Sequence, residues 1–279
     1  MKMMIKKSLI VLVALIQCAS AGFAQGASDK VASVAAPKIA QPLPFKVGET
    51  LIYEINFSKL IFSGTIGELK LWVSKPADPK KTELIELRAE AVSKGFFPKL
   101  FGLKVNDRFH SIVSTNDLGV HSSTKHIEEG DTRREQKAVF NREDGRVTYI
   151  DRDLSKSSGE AKVKEANSPS WIQDILSATY FVRTQKLDQG EVIQVPISDG
   201  GAVYNIEVVV AKREEIKVGA NKFKTIVLDA KVFDGRYVRR SGQMFIWMTD
   251  DERRTPVRAK IKTSGATVTI DLKRQQQAQ

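Results

Sequence analysis

The chain of 279 residues carries 44 lysines and arginines against 33 acids, a formal net charge of +11, and 42% of it is hydrophobic. Its single cysteine excludes an internal disulfide and any zinc site built on paired thiolates. A chain of this length can bury one sizeable core without such staples.

The first segment reads as an export signal. Lys2, Lys6 and Lys7 precede an apolar run from Ser8 to Ile16, and small residues follow, with cleavage expected after Ala21 or Ala24. The run is shorter than the ~20 residues a membrane-spanning helix needs. Cys18 resembles a lipoprotein acylation site, but Gln17 stands where a small residue is wanted. Losing residues 1–24 removes three lysines and no acid, leaving 41 basic against 33 acidic residues, or +8. Outside the cytoplasm, nucleic acid is not the expected partner of that excess. Lipid head groups, lipopolysaccharide and cell-wall polymers are the polyanions available there. Residues 25–44, with Pro37, Pro42 and Pro44, read as a flexible leader, residues 45–274 as one domain, and residues 275–279 as a frayed tail.

Period-two alternation dominates the domain. Leu51, Tyr53, Ile55 and Phe57 alternate with polar residues, then Leu69, Leu71 and Val73, and then Ile85, Leu87, Ala89 and Ala91. Shorter runs include Val105 to Val113, Val139, and Val147 with Tyr149. After residue 190 come Ile193 to Ile197, Tyr204 to Val210, Ile226 to Val232, Met244 to Met248, Val257 to Ile261 and Val268 to Leu272. Turn signals such as Asp199-Gly200-Gly201 and Ser264-Gly265 separate them. The expected fold is mainly β: a strongly curved antiparallel half-barrel of about eleven strands. One segment breaks the period. With Ser168 as N-cap and Pro169 next, a central helix is expected over 170–186, its stripe of Trp171, Ile172, Ile175, Ala178, Thr179 and Val182 facing the sheet.

Three segments carry a family resemblance. They are Val47 to Tyr53, Asp174 to Arg183, and the run Trp247-Met248-Thr249-Asp250-Asp251-Glu252-Arg253-Arg254-Thr255-Pro256-Val257. Together they resemble the domain-of-unknown-function 3108 family of exported proteins of Gram-negative envelopes, over about residues 45 to 273. That resemblance implies no catalytic residues. A sheet with a helix tucked against it is also similar, at the level of fold, to periplasmic lipoprotein carriers of the LolA and LolB type, which enclose acyl chains.

Candidate sites follow from side-chain chemistry. His110, His121 and His126 lack metalloprotease spacing, and no nucleophile elbow or phosphate loop is present. No metal, cofactor or catalytic residue is therefore expected. Asp250, Asp251, Arg253 and Arg254, with Trp247 before and Pro256 after, read as a charged hairpin turn. Asp174 and Arg183 lie about 180° apart on a helix, so each is expected to fasten one side of it. Arg258, Lys260 and Lys262 form a basic ladder on the face opposite the core. Phe96, Phe97, Leu100, Phe101 and Leu103 crowd between Gly95 and Lys104. They read either as a packed loop or as an apolar lip at a cavity mouth or membrane interface, with Lys99 and Lys104 placed for head groups. Leu60-Ile61-Phe62 offers a second lip. The expectation is a non-enzymatic periplasmic protein that binds or carries an amphiphile, a lipid or an acylated protein. An envelope scaffold with a filled core is the alternative, and a hydrolase the third.

Overall fold

The computed structural model describes residues 36–276 except 61 and 79. The expected signal segment, and the leader as far as residue 35, lie outside the described residues. Among the described residues, fourteen strands form one antiparallel sheet. The first arm comprises β1 (Thr50–Lys59), β2 (Phe62–Ser74), β3 (Leu84–Ser93), β4 (Asn106–Ser114), β5 (Val120–Glu129), β6 (Thr132–Asn141), β7 (Arg146–Asp153) and β8 (Ala161–Asn167). The second comprises β9 (Val192–Asp199), β10 (Ala202–Val218), β11 (Asn221–Ala230), β12 (Gly242–Thr249), β13 (Pro256–Thr263) and β14 (Ala266–Gln276). Helix α1 (Phe96–Phe101) follows β3, and α2 (Ile175–Arg183) joins the arms.

Each arm is a meander, and the two meet in the middle of the sheet, where β1 pairs with β14. Strands β8 and β9 remain as edges with no ladder between them. What the structure shows of the expected half-barrel is thus an open antiparallel sheet. It has fourteen strands rather than about eleven. The strands the alternation missed are β5 and β8, for different reasons. In β5 the core-facing row includes Ser123 and Lys125, both buried, so the apolar signal is diluted. Edge strand β8 is exposed along nearly its whole length, so nothing requires apolar residues at alternate positions.

Where the pattern was strong, the strands follow it. Leu51, Tyr53, Ile55 and Phe57 of β1 are all buried, between Leu71 of β2 on one side and Leu272 and Val268 of β14 on the other. A main core unites both arms with α2, and a smaller cluster of Ile55, Phe57, Ile66, Ile261 and Val268 lies toward the β1–β2 turn. Ile39 and Leu43 of the expected leader pack on the main core, and Gln275 and Gln276 of the expected tail belong to β14.

The helix is shorter than expected, nine residues rather than 170–186, and its N-cap is Asp174 instead of Ser168. Asp174 Oδ1 accepts from the Ser177 amide at 2.7 Å while Ser177 Oγ accepts from the Asp174 amide at 2.9 Å, a reciprocal capping box. Just before it, the Gln173 amide donates to Pro196 O and Gln173 O accepts from the Ser198 amide, both at 2.9 Å, which adds a short parallel bridge to β9. Trp171 lies in a turn closed by the Ile172 amide on Pro169 O at 3.1 Å, and Ile172 O accepts from the Val120 amide at 3.0 Å, so both precede the helix rather than belonging to it. The buried side of α2 is Leu176, Tyr180, Phe181 and Val182, whereas Ile175 and Ala178 of the expected stripe are only half-buried. Helix α1 stands where a loop was expected.

Candidate functional site

Both ends of α2 are fastened by charged groups. At its start, the Ser111 hydroxyl of β4 donates to Asp174 Oδ2 at 2.5 Å. At its end, Arg183 is fully buried and pairs end-on with Glu49, Nη1 to Oε1 at 2.6 Å and Nη2 to Oε2 at 2.9 Å. Its remaining donors reach the carbonyls of Pro44 at 3.1 Å and Arg253 at 3.0 Å. The guanidinium lies 5.0 Å and 5.4 Å from the ring centres of Phe45 and Tyr180. Burial pushes the Tyr180 hydroxyl, and that of nearby Tyr53, well above the usual phenol range. Trp171 stacks on Phe181 at 5.7 Å, and Val182 is buried beside them.

The charged hairpin packs on the same end of the helix. Asp251 accepts from the amides of Arg253 and Arg254, both at 3.0 Å, which shapes the turn into Pro256. Arg254, at φ +46°, donates to the carbonyl of Arg183 at 2.9 Å. The Pro256 carbonyl accepts from Tyr53 Oη at 2.9 Å, and Trp247 Nε1 donates to Glu214 at 2.8 Å. Asp250 pairs with Arg213 at 3.1 Å. Asp174, Arg183 and Arg254 are thus drawn to one helix, while Trp247 and Asp250 face β10 instead.

A second polar group spans the two arms. Lys125 of β5 is ion-paired with Asp199 at the end of β9, and Tyr237 Oη donates to the other carboxylate oxygen at 3.2 Å. All three are buried. Tyr149 lies in the same region, its hydroxyl held above the usual phenol range by burial and by the charges of Asp151 and Asp199. Near the bridge to β9, Gln173 Oε1 and Ser198 Oγ are buried with no hydrogen-bond partner among the described residues, as is Tyr180 Oη toward the Arg183 end of the helix. No group of three or more His, Cys, Asp or Glu able to hold a metal occurs among them.

The apolar lip divides into an inner and an outer face. Phe97 of α1 turns inward onto the smaller cluster, its ring so close to Gly64 of β2 that a Cβ there would lie 2.3 Å from it. Gly95, at φ +108°, brings the chain against the Thr65 carbonyl, and Gly102, at φ +66°, ends the helix in the left-handed conformation. On the outer face Phe96 is 70% exposed and Leu100 57%. Leu103 is half-buried, and the side chain of Phe101 lies outside the described set. In the neighbouring β1–β2 turn Leu60 is 89% exposed, at φ +51°, and Phe62 is partly exposed. Lys99 and Lys104 are exposed and form no ion pair among the described residues. In the basic ladder, Asp271 neutralises Arg258 through two bonds of 2.5 and 2.8 Å, and Lys260 lies 6.0 Å over Trp247.

Residues 52–273 match the family model described as a protein of unknown function, DUF3108. The chain belongs to the DUF3108 family. Among solved structures it is similar to a β-barrel-like DUF1849 protein of Brucella abortus, with 10% identity over 84% of this chain and 99% of that one, at a TM-score of 0.54. A YmcC-like protein of Bacteroides fragilis shares 8% identity over 84% and 98% of the two chains, at a TM-score of 0.36. A hypothetical protein of Chlamydia trachomatis shares 9% over 84% and 89%, at 0.33. No curated protein matches. No helix among the described residues is long and apolar enough to cross a membrane, which says nothing of strands.

Several residues of this DUF3108 chain escaped the sequence. Glu49 sits in one of the resemblance segments, but nothing local marks it as the partner of Arg183. Lys125 had a signal, a lysine at a core-phase position between Ser123 and Ile127. Asp199 was absorbed into the reading of Asp199-Gly200-Gly201 as a turn, which it also is.

Proposed function

We propose that this DUF3108 protein works outside the cytoplasm, without catalysis, as a binder or carrier of an amphiphile such as a lipid or an acylated protein. One observation carries the reading: an apolar cluster apart from the main core is covered by a six-residue helix hinged between two positive-φ glycines. An acyl chain would take the place of the Phe97 ring over Phe57, Ile66 and Val268. A strongly curved sheet, in the manner of LolA- and LolB-type carriers, belongs to the same proposal. It is supported by Lys125 of β5 reaching Asp199 of β9, and by Lys164 of β8 donating to Gly200 O at 3.2 Å, since both pairs link opposite arms. The β-barrel-like description of the Brucella protein points the same way.

A fluorescent fatty acid tests it. The wild-type protein is expected to take up the probe, and Gly64→Ala, which displaces Phe97, is expected to change its affinity. A wild-type protein that takes up none, and that carries no lipid in native mass spectrometry when isolated from the periplasm, would leave the reading without support. That outcome favours the scaffold reading, for which the specific observation is the filling of the main core by Trp171, Tyr180 and Phe181. Export carries its own check: the mature N-terminus is expected at Gly22 or Gln25, and retention of Met1 or acylation of Cys18 would contradict it.

A further inference from the structure

We infer that the outer face of α1 and the β1–β2 turn form a docking tip for an anionic lipid bilayer. The inference concerns residues the proposed acyl site does not use, and it requires no amphiphile to enter the fold. Three side chains face solvent where water disfavours them: Leu60, Phe96 and Leu100, at 89%, 70% and 57% exposure. Leu60 is the most telling. A leucine at φ +51° gains nothing from its backbone conformation, which glycine or asparagine would adopt more readily, and in water it gains nothing from its side chain.

The three belong to one end of the molecule. Leu60 precedes β2, and α1 lies on β2 through Phe97 over Gly64 and Gly95 against Thr65. Lysines surround them. Lys99 is on α1 itself, and Lys104 follows it, its carbonyl tied to the β5–β6 turn by the Gly130 amide at 2.8 Å. Lys262 of β13 pairs with Thr267 of β14, which pairs with Ser58 at the end of β1. All three lysines are exposed and none makes an ion pair among the described residues. The acids at this end include Glu68, held by Lys94 at 2.9 Å, and Asp131 on the β5–β6 turn.

Charge and shape together select the occupant. A hairpin turn and a six-residue helix project side chains rather than frame a groove, so a folded partner finds little to bury. A bilayer accepts separate apolar side chains at the level of its head groups, and anionic lipids hold the lysines around them. The same geometry predicts shallow, reversible and salt-sensitive binding.

Co-sedimentation with vesicles tests this. The full mature chain is expected to pellet with vesicles of equal parts phosphatidylcholine and phosphatidylglycerol, and to bind pure phosphatidylcholine far more weakly. Lys99→Glu, Lys104→Glu and Lys262→Glu together are expected to lower affinity for the mixed vesicles at least about a hundredfold, since each lysine alone is worth about fivefold and reversal adds repulsion. Leu60→Ser, Phe96→Ser and Leu100→Ser together are expected to abolish pelleting while leaving thermal unfolding unchanged, because all three are exposed. Wild-type protein that ignores the mixed vesicles, or a serine variant that pellets like wild type, would overturn the inference. Binding of a soluble envelope protein through these residues, with no vesicle binding, would also overturn it. Uptake of a monomeric fatty acid, measured without vesicles, reports on the acyl site alone, so the two ideas fail separately.

Discussion

Arg183 is the side chain on which α2 depends most. It is fully buried, so its charge has lost its hydration, and only Glu49, two carbonyls and two aromatic rings replace it. Breaking a buried pair from one side costs more than the pair contributes, because a charge is left uncompensated. Glu49→Ala is therefore expected to destabilise the fold by about 3–5 kcal/mol in urea unfolding. Adding Arg183→Met should recover part of that loss, and a double variant worse than the sum of its parts would show that the pair is not the cause. A second prediction rests on Glu214. The ammonium of Lys212 and the indole N–H of Trp247 both bond its carboxylate and hold its pKa below the usual glutamate range. A depressed acid gives a contribution that is complete above its unfolded pKa and is lost as pH falls through the folded value. Trp247 emission should thus stay constant down to the ordinary glutamate range and change below it. Glu214→Gln should remove that change; a transition that survives the substitution would assign it to another group.

At the scale of elements, the strands with one apolar row were legible and those with mixed rows were not. β1 announces itself because Leu51 to Phe57 are all buried, whereas β5 hides because Lys125 is buried by virtue of a partner seventy-four residues away. Alternation records which positions face the core, and it is silent when a charge there is neutralised from another part of the chain. The same limit applies to the lip. A dense run of phenylalanine and leucine between glycines was visible, but whether Phe96 or Phe97 turns inward depends on the absence of a side chain at Gly64. The helix start was misplaced because Ser168-Pro169 has the composition of a cap, while a single turn after Pro169 and the hydrogen bonds of Gln173 to β9 hold the chain out of the helix until Asp174. This yields a direct comparison. Asp174→Ala should cost about 1–2 kcal/mol from the cap alone, and more because Ser111 loses its acceptor. Ser168→Ala should leave the helix intact, so equal losses in far-ultraviolet circular dichroism would argue against the assignment of the cap.

For the molecule as a whole, the pairing of β1 with β14 in the middle of the sheet has a kinetic meaning. Because β1 pairs with β14, the first of the described strands waits for the last of them before it has neighbours on both sides. Contacts of such sequence separation are slow to form, since a long loop must close before any pairing rewards it. A ribosome-bound or truncated chain ending at Thr263 would present β1 and β13 as two unpaired edges in the middle of the sheet, with the apolar row from Leu51 to Phe57 half uncovered. Such a chain is expected to be protease-sensitive along its entire length rather than folded as far as it goes. A sheet left open in this way until β14 arrives remains threadable, and the export proposed above would use that delay, since a chain must cross a membrane before it locks.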